Sequence, residues 1–213
     1  NLEGELSKVP CEWDFPHLDK TRERLPEVRV DTWNSLVFVS MAKEGPSLME
    51  YLDVMPEHFK NWDMTDWVIS VHAQKELECN WKAALEAFIE AYHTAQVHPQ
   101  TVPTSGDTNQ QHDIFSDHIS RDLVALGTPS PTYDKPMTQQ DILDQMLTGD
   151  RTMLGDRLMV PEGMTARQVM ADVLRKKMTE EYGLDVSNFS VAEMIDSIKY
   201  TVFPNLFIFA GVS

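Results

Sequence analysis

Residues 80–99 read NWKAALEAFIEAYHTAQVHP, and this stretch decides how the rest of the chain is interpreted. Its Ala, Leu, Glu and Lys content predicts a helix over residues 80–97. The final proline ends the helix, because the residue before a proline is pushed out of helical geometry. At about 100° per residue, Glu86, Glu90 and His93 share one face of such a helix. The sequence therefore predicts a helix with a polar stripe.

Two histidines stand at the end of this stretch. His98 is five residues past His93 and meets it only if the helix distorts or ends between them. Zinc metalloproteases need histidines four residues apart with Glu directly after the first, whereas Thr94 follows His93. Two imidazoles and a distant carboxylate instead suit the facial triad of mononuclear non-haem iron. Histidines near a helix end also serve as caps, with Glu86 and Glu90 as a solvated face, so spacing alone leaves both interpretations open.

The remaining elements are predicted from alternating and helical periodicity. The chain order of strands, helices and strands favours an α+β fold with an antiparallel sheet. The predicted elements are two short strands over 28–39, a helix beginning at Ser47, a strand over 67–74, a long loop with at most one short strand over 100–136, helices over 138–147, 165–182 and 190–198, and one bent strand or a strand pair over 200–212.

Composition excludes several classes of partner. The 213-residue chain has 34 acidic and 18 basic side chains and a net charge of −16. A surface this acidic repels phosphate backbones and anionic lipids, which argues against nucleic acid and membrane partners. The chain has only two cysteines, no apolar run of membrane-span length and no signal-peptide pattern. We therefore expect a cytoplasmic protein, and we expect both ends of this sequence to be internal to a longer one.

The segment around the two histidines carries a family resemblance. Asn80-Trp81-Lys82 followed by Glu86-x3-Glu90-x2-His93-x4-His98-Pro99 closely resembles the iron-binding signature of the α subunit of Rieske-type aromatic ring-hydroxylating oxygenases. Other segments are similar to parts of the same family and follow in the expected order. They are residues 4–10 and 33–39, which resemble the end of the Rieske domain, and residues 106–109 and 203–206, which resemble the catalytic domain.

The resemblance implies a fold and a set of site residues. Residues 46–213 would form an incomplete helix-grip (START-like) catalytic domain, and residues 1–45 the remnant of a small all-β Rieske [2Fe–2S] domain that lacks the cluster ligands. His93 and His98 would bind Fe(II), with a third, carboxylate ligand beyond residue 213. Glu90 stands where the family usually has the aspartate that carries electrons between subunits. Glu86 is a candidate substrate-binding residue.

The resemblance also implies an activity. Such a subunit uses dioxygen and NADH-derived electrons, delivered by a reductase or ferredoxin through the [2Fe–2S] cluster, to hydroxylate an apolar, typically aromatic, substrate. It is expected to assemble as a trimer, with or without β subunits. Dioxygenation and monooxygenation stay open. The alternatives are a Rieske monooxygenase acting on a steroid, alkylamine or methoxy substrate, and a non-catalytic helix-grip carrier of apolar ligands.

Overall fold

The computed structural model describes residues 1–148 and 157–211. The chain divides into two compact units, residues 1–51 with 64–68, and residues 52–63 with 69–213. Helices and antiparallel strands are mixed, which confirms the predicted α+β class. In chain order the elements are β1 (Arg29–Trp33), β2 (Leu36–Ser40), α1 (Leu48–Leu52), α2 (Met55–His58), α3 (Trp81–Ile89), α4 (Thr94–Val97), β3 (Gln111–Ile114), β4 (Ile119–Val124), α5 (Gln139–Leu147), α6 (Ala166–Tyr182), α7 (Val191–Ile195), β5 (Ser197–Val202) and β6 (Leu206–Ala210).

A tight hairpin is the main feature of the first unit. Strands β1 and β2 pair antiparallel, and Trp33 lies opposite Leu36. Asn34 and Ser35 between them have φ values of 51° and 65°. Positive φ at both central residues is the requirement of a two-residue hairpin turn whose twist matches the strands. The strand pair predicted over residues 28–39 is therefore confirmed.

The second unit contains a four-stranded antiparallel sheet in the order β3-β4-β5-β6. Successive side chains point to opposite faces of a sheet, so neighbouring cross-strand rows face opposite ways. One row consists of His112, Asp122, Lys199 and Phe209, and we call its side of the sheet the α3 face because Phe88 of α3 contacts Phe209. The neighbouring row consists of Asp113, Arg121, Tyr200 and Ile208, and we call its side the α2 face because His58 of α2 contacts Tyr200.

Helices α5 and α6 begin and end as the sequence predicts. Thr138 and Thr165 each cap a helix through a capping box, in which the threonine hydroxyl accepts from the third helical N–H. Gly183 ends α6 with a φ of 68°, a left-handed conformation that glycine adopts at little cost. Ile142 and Leu143 of α5 are buried in a cluster with Ala166 and Val169 of α6. The helices predicted over 138–147 and 165–182 are therefore confirmed.

The helix predicted over residues 80–97 is interrupted, so that prediction was wrong. Helix α3 ends at Ile89, and Glu90 has extended backbone angles of −127° and 157°. The chain turns helical again only for the four residues of α4. The reason is local, because the Glu90 carboxylate accepts a hydrogen bond from the backbone N–H of His93. The single helical face that was to unite Glu86, Glu90 and His93 does not exist.

Several other boundaries also differ from the sequence prediction. Residues 67–74 form no strand, and Ile69 is 87% exposed. The stretch predicted as a loop over 100–136 contains two paired strands, β3 and β4. The predicted helix at Ser47 is two short helices separated at Asp53, and α7 ends three residues before the predicted Ile198. The last segment is the strand-pair alternative, β5 and β6. Within the described residues, no helix is long and apolar enough to cross a membrane.

Candidate metal centre

The start of α3 is fixed by a cap and by an aromatic contact. The side chain of Asn80 accepts a hydrogen bond of 2.9 Å from the backbone N–H of Lys82. The ring of Trp81 lies 6.1 Å, centroid to centroid, from the ring of Phe203. Phe203 precedes a cis proline in the turn between β5 and β6. The structure therefore brings together two segments that the sequence analysis picked out separately.

The two histidines flank the single turn of α4. His93 precedes its first residue and His98 follows its last. Their ring centroids lie 5.4 Å apart, with the ring planes at 74°. Metal-bound imidazole nitrogens lie about 2.1 Å from the ion, so two rings at this separation can each direct one nitrogen at a shared ion. The structure thus places the two rings close together, an arrangement that the sequence spacing alone left open.

Glu90 fixes the orientation of the His93 ring. Its Oε2 accepts a 3.2 Å hydrogen bond from the backbone N–H of His93, and its Oε1 accepts one from Nδ1 of the same residue. A carboxylate can only accept, so Nδ1 carries the proton and Nε2 keeps a free lone pair. That is the tautomer that a metal ligand needs. Desolvation raises the pKa of Glu90, but the hydrogen bonds from His93 and Tyr92 outweigh it and hold this pKa below its ordinary value.

A contact that sequence reasoning missed holds the end of α3. Gln110 lies just before β3, and its Nε2 donates a 3.2 Å hydrogen bond to the carbonyl oxygen of Ile89. This oxygen belongs to the last helical residue, which has no partner further along the helix. Gln110 therefore fixes the point at which the chain leaves the helix toward Glu90. Nothing in the residue spacing indicates this contact, because it joins positions 21 residues apart.

The residues after the histidine pair pack around a buried carboxylate. Asp107 is fully buried, and the hydroxyl of Ser130 donates to its Oδ1 at 2.7 Å. The backbone N–H of Thr108 also donates to Oδ1. The segment 106–109, which the sequence analysis related to the catalytic domain, is therefore a structural turn in the described chain.

The predicted acidic residues divide into two kinds. Glu90 is engaged with His93, whereas Glu86 lies on α3 and is exposed. Within residues 1–148 and 157–211, no group of three or more His, Cys, Asp or Glu side chains is arranged to hold a metal ion. The chain supplies two oriented imidazoles, which fit two of the three positions of a facial triad. A third ligand beyond residue 213 stays a prediction.

Comparison with known proteins places the chain in a family. Residues 57–212 match the family described as "Ring hydroxylating alpha subunit (catalytic domain)". The chain belongs to this family. The matched residues include both histidines and the turn at Phe203, so the elements of the candidate metal centre all lie within the region of similarity. The proposed Rieske remnant over residues 1–45 lies before that region and stays a prediction.

Relatives of the chain include curated oxygenase subunits. The "Glycine betaine monooxygenase oxygenase subunit" of Pseudomonas aeruginosa, strain UCBPP-PA14, is 25% identical over 111 residues, which are 52% of this chain and 26% of that protein. The protein of the same name from Chromohalobacter salexigens is 25% identical over 101 residues, 47% of this chain and 23% of that protein. The matched segment thus spans about a quarter of each relative.

Proposed function

We propose that the chain carries part of the mononuclear Fe(II) centre of an oxygenase with a helix-grip catalytic domain. The observation that carries this proposal is the histidine pair, whose rings lie 5.4 Å apart while Glu90 holds Nδ1 of His93. A cap or a solvated side chain has no need of a carboxylate that fixes its tautomer. A metal ligand does, because the hydrogen bond orients the ring and raises its basicity.

Each residue of the centre has a task that follows from its position. Ferrous iron, when bound, supplies the activation of dioxygen, which the side chains of a protein cannot perform. His93 and His98 would hold the ion, and α4 fixes the separation of their rings. Glu90 keeps the proton on Nδ1, so Nε2 of His93 keeps the lone pair that a metal ligand requires. Gln110 holds the carbonyl end of α3 and thereby the start of the loop that carries these ligands.

Electron delivery is proposed to pass through Glu90. The side chains of Glu90 and His93 are 33% and 32% exposed, so the carboxylate is accessible from outside the chain. A carboxylate has about four acceptor positions, of which His93 uses two and the backbone N–H of Tyr92 a third. Glu90 can therefore accept a further hydrogen bond, which we assign to a histidine at the [2Fe–2S] cluster of a neighbouring subunit in a trimer. NADH would reduce that cluster through a reductase or ferredoxin.

The substrate is the part of the proposal with two candidates. The family description favours hydroxylation of an aromatic ring, whereas the names of the relatives favour a monooxygenase that acts on an alkylated amine. A carrier of apolar ligands without a metal is the third interpretation, and it predicts no bound iron. Metal analysis therefore separates the carrier from both enzymes.

Replacing either histidine tests the iron site. In the full-length protein we expect His93→Ala and His98→Ala each to remove the mononuclear iron and all product formation while the absorption of the [2Fe–2S] cluster persists. The control is His72→Ala, because His72 lies in the exposed segment outside the site. Iron per subunit is measured by elemental analysis after gel filtration. Full iron occupancy in both histidine variants would contradict the ligand assignment.

The role of Glu90 is tested by Glu90→Gln, which keeps the shape and an acceptor oxygen but removes the charge. Loss of an outer carboxylate partner typically costs 10- to 100-fold in metal affinity or activity. We expect iron to stay bound at saturating Fe(II) and single-turnover product formation to slow by roughly that factor. Glu181→Gln, at an exposed position on α6, is the matched control, and an equal effect of both variants would exclude the specific role of Glu90.

A further inference from the structure

One helical hydrogen bond is interrupted where α3 ends, and two side chains take its place. In a continuous helix the carbonyl oxygen of Ile89 would accept from the backbone N–H of His93, four residues later. In the structure the Ile89 oxygen accepts instead from Nε2 of Gln110, and the His93 N–H donates to Oε2 of Glu90, each at 3.2 Å. Each half of the interrupted pair is therefore occupied by a side chain.

The backbone on both sides of the break is helical. Helix α3 ends at Ile89, and His93 has φ and ψ of −70° and −19° at the start of α4. Glu90 between them is extended, although glutamate is among the better helix formers. No residue of α3 is buried, so core packing does not fix the point at which this helix ends. A change of backbone angles around Glu90 would therefore join α3 to α4.

Gln110 connects the break to the sheet. It directly precedes the edge strand β3, and its Nε2 reaches the last residue of α3. Its Oε1 is buried and has no hydrogen-bond partner within residues 1–148 and 157–211. A buried acceptor without a donor costs free energy, so a purely structural role would favour an apolar residue at this position. The contact of Nε2 with the Ile89 oxygen accounts for a glutamine here.

The break decides where the histidine pair lies relative to the sheet. Residues 94–97 already form α4, so closure of the hydrogen bond from His93 to Ile89 would leave the turn between the two histidines unchanged. Closure would instead redirect α4 about Glu90 and carry both imidazoles away from their present position. A facial triad needs a third ligand from another segment, and that ligand can complete the site in only one of the two positions.

We propose that residues 89–93 form a two-state element and that Gln110 is the positioning residue that selects the open state. In the open state Gln110 and Glu90 hold the Ile89 carbonyl and the His93 N–H apart. In the closed state these two backbone groups bond to each other, α3 continues into α4, and the histidine pair is displaced. The inference rests on the proposed function, which it deepens by assigning control of the iron site to a residue beside the sheet.

Replacing Gln110 by methionine removes the donor with little change in size. In the metal-free full-length protein, Gln110→Met should slow amide hydrogen exchange of residues 90–93 by a factor of roughly five, the contribution of one net hydrogen bond to an equilibrium. Loss of a residue that only holds the structure together would speed exchange through local unfolding. Mass spectrometry of the exchanged protein measures the direction, and faster or unchanged exchange would overturn the inference.

Iron affinity is the second measurement on the same variant. We expect Fe(II) to bind Gln110→Met roughly tenfold or more weakly in anaerobic titration calorimetry, the usual cost of losing a residue that orients metal ligands. Gln111→Met is the matched control, because Gln111 is the next residue and its Nε2 donates to Asp113 instead. Gln110→Asn, whose amide is one methylene shorter, should give the same two results if Gln110→Met does not fold. Unchanged affinity in a folded variant would contradict the positioning role.

The two measurements separate this inference from the proposed function. Slower exchange in Gln110→Met, in a protein whose wild type binds no mononuclear iron, would support the two-state element and reject the oxygenase. Normal iron binding by the wild type, with neither exchange nor affinity altered in Gln110→Met, would overturn the inference and leave the iron centre standing.

Discussion

The two faces of the four-stranded sheet are built from alternate residues of the same strands, yet they differ in what they bury. On the α2 face Ile198, Tyr200 and Val202 are 5%, 1% and 2% exposed. On the α3 face, Lys199 sits between Ile198 and Tyr200 in sequence and pairs with Asp122. Phe209 at the end of that row is 59% exposed. The comparison indicates that one face buries apolar and aromatic side chains, whereas the other buries an ion pair and leaves an aromatic ring exposed.

The polar groups of the two faces also differ in their hydrogen bonding. The hydroxyl of Tyr200 and Nδ1 of His58 lie 2.9 Å apart on the α2 face, and Arg121 pairs with Asp113 at 2.7 Å. Burial raises the pKa of Tyr200, so its proton stays available for this contact. On the α3 face the Asp122 oxygens lack a well-directed donor. A satisfied network rigidifies a core, whereas an incompletely satisfied buried group costs stability.

The largest expected effect is on the α2 face. Ile198→Ala should lower the free energy of unfolding by about 2–5 kcal/mol, because it removes buried methyl groups and leaves a cavity. Urea unfolding followed by tryptophan fluorescence measures this value. A loss of unfolding free energy below about 1 kcal/mol would mean that neighbouring side chains fill the cavity. The α2 face would then not be the more stabilising of the two.

Phe209→Ala is the matched control on the opposite face. Its side chain lies largely in water, so the same measurement should show a change below about 1 kcal/mol in spite of the larger side chain that is removed. A stability loss as large as that of Ile198→Ala would show that both faces are equally structural.

The smallest expected effect is a pH dependence on the α2 face. Burial lowers the pKa of His58 below its ordinary value of 6.5, the charge of Arg121 lowers it further, and nearby carboxylates partly oppose both. The unfolded chain therefore binds a proton at His58 more readily than the folded chain does. The contribution of neutral His58 to the free energy of unfolding is complete above pH 6.5 and is lost as the pH falls below that value. His58→Gln should flatten the slope of unfolding free energy between pH 5 and 6.5. His72→Gln, in the exposed segment, should leave the slope unchanged.

The sequence predicted those elements whose stability is local. Helix α6 has an apolar stripe, a threonine cap and a terminal glycine, and each of these acts within a few residues of its position. The hairpin over β1 and β2 likewise follows from alternation and from the Asn34-Ser35 turn. The nearness of His93 and His98 was expected from the family resemblance, whereas their spacing alone left it open.

The rest depends on partners that are distant in sequence. The composition of residues 80–97 favours one helix, and only the contacts of Glu90 with His93 and of Gln110 with Ile89 show where it stops. Residues 67–74 alternate like a strand but have no partner strand in the described parts of the chain. Strands β3 and β4 carry charged residues at interior positions, which hides them from a hydrophobic pattern. The Asp122 and Lys199 pair joins positions 77 residues apart and leaves no trace in local spacing.

The break at Glu90 separates the local geometry of the two histidines from the helix that precedes them. Both histidines flank the single turn of α4. The distance between their rings therefore depends on six consecutive residues, His93 to His98, and not on helix α3. A residue inserted into or deleted from α3 would move the segment His93 to His98 relative to the sheet without changing the distance between its two histidines. Variation in the length of α3 would thus move the proposed metal site relative to the sheet, with no change in the two residues proposed to bind the ion.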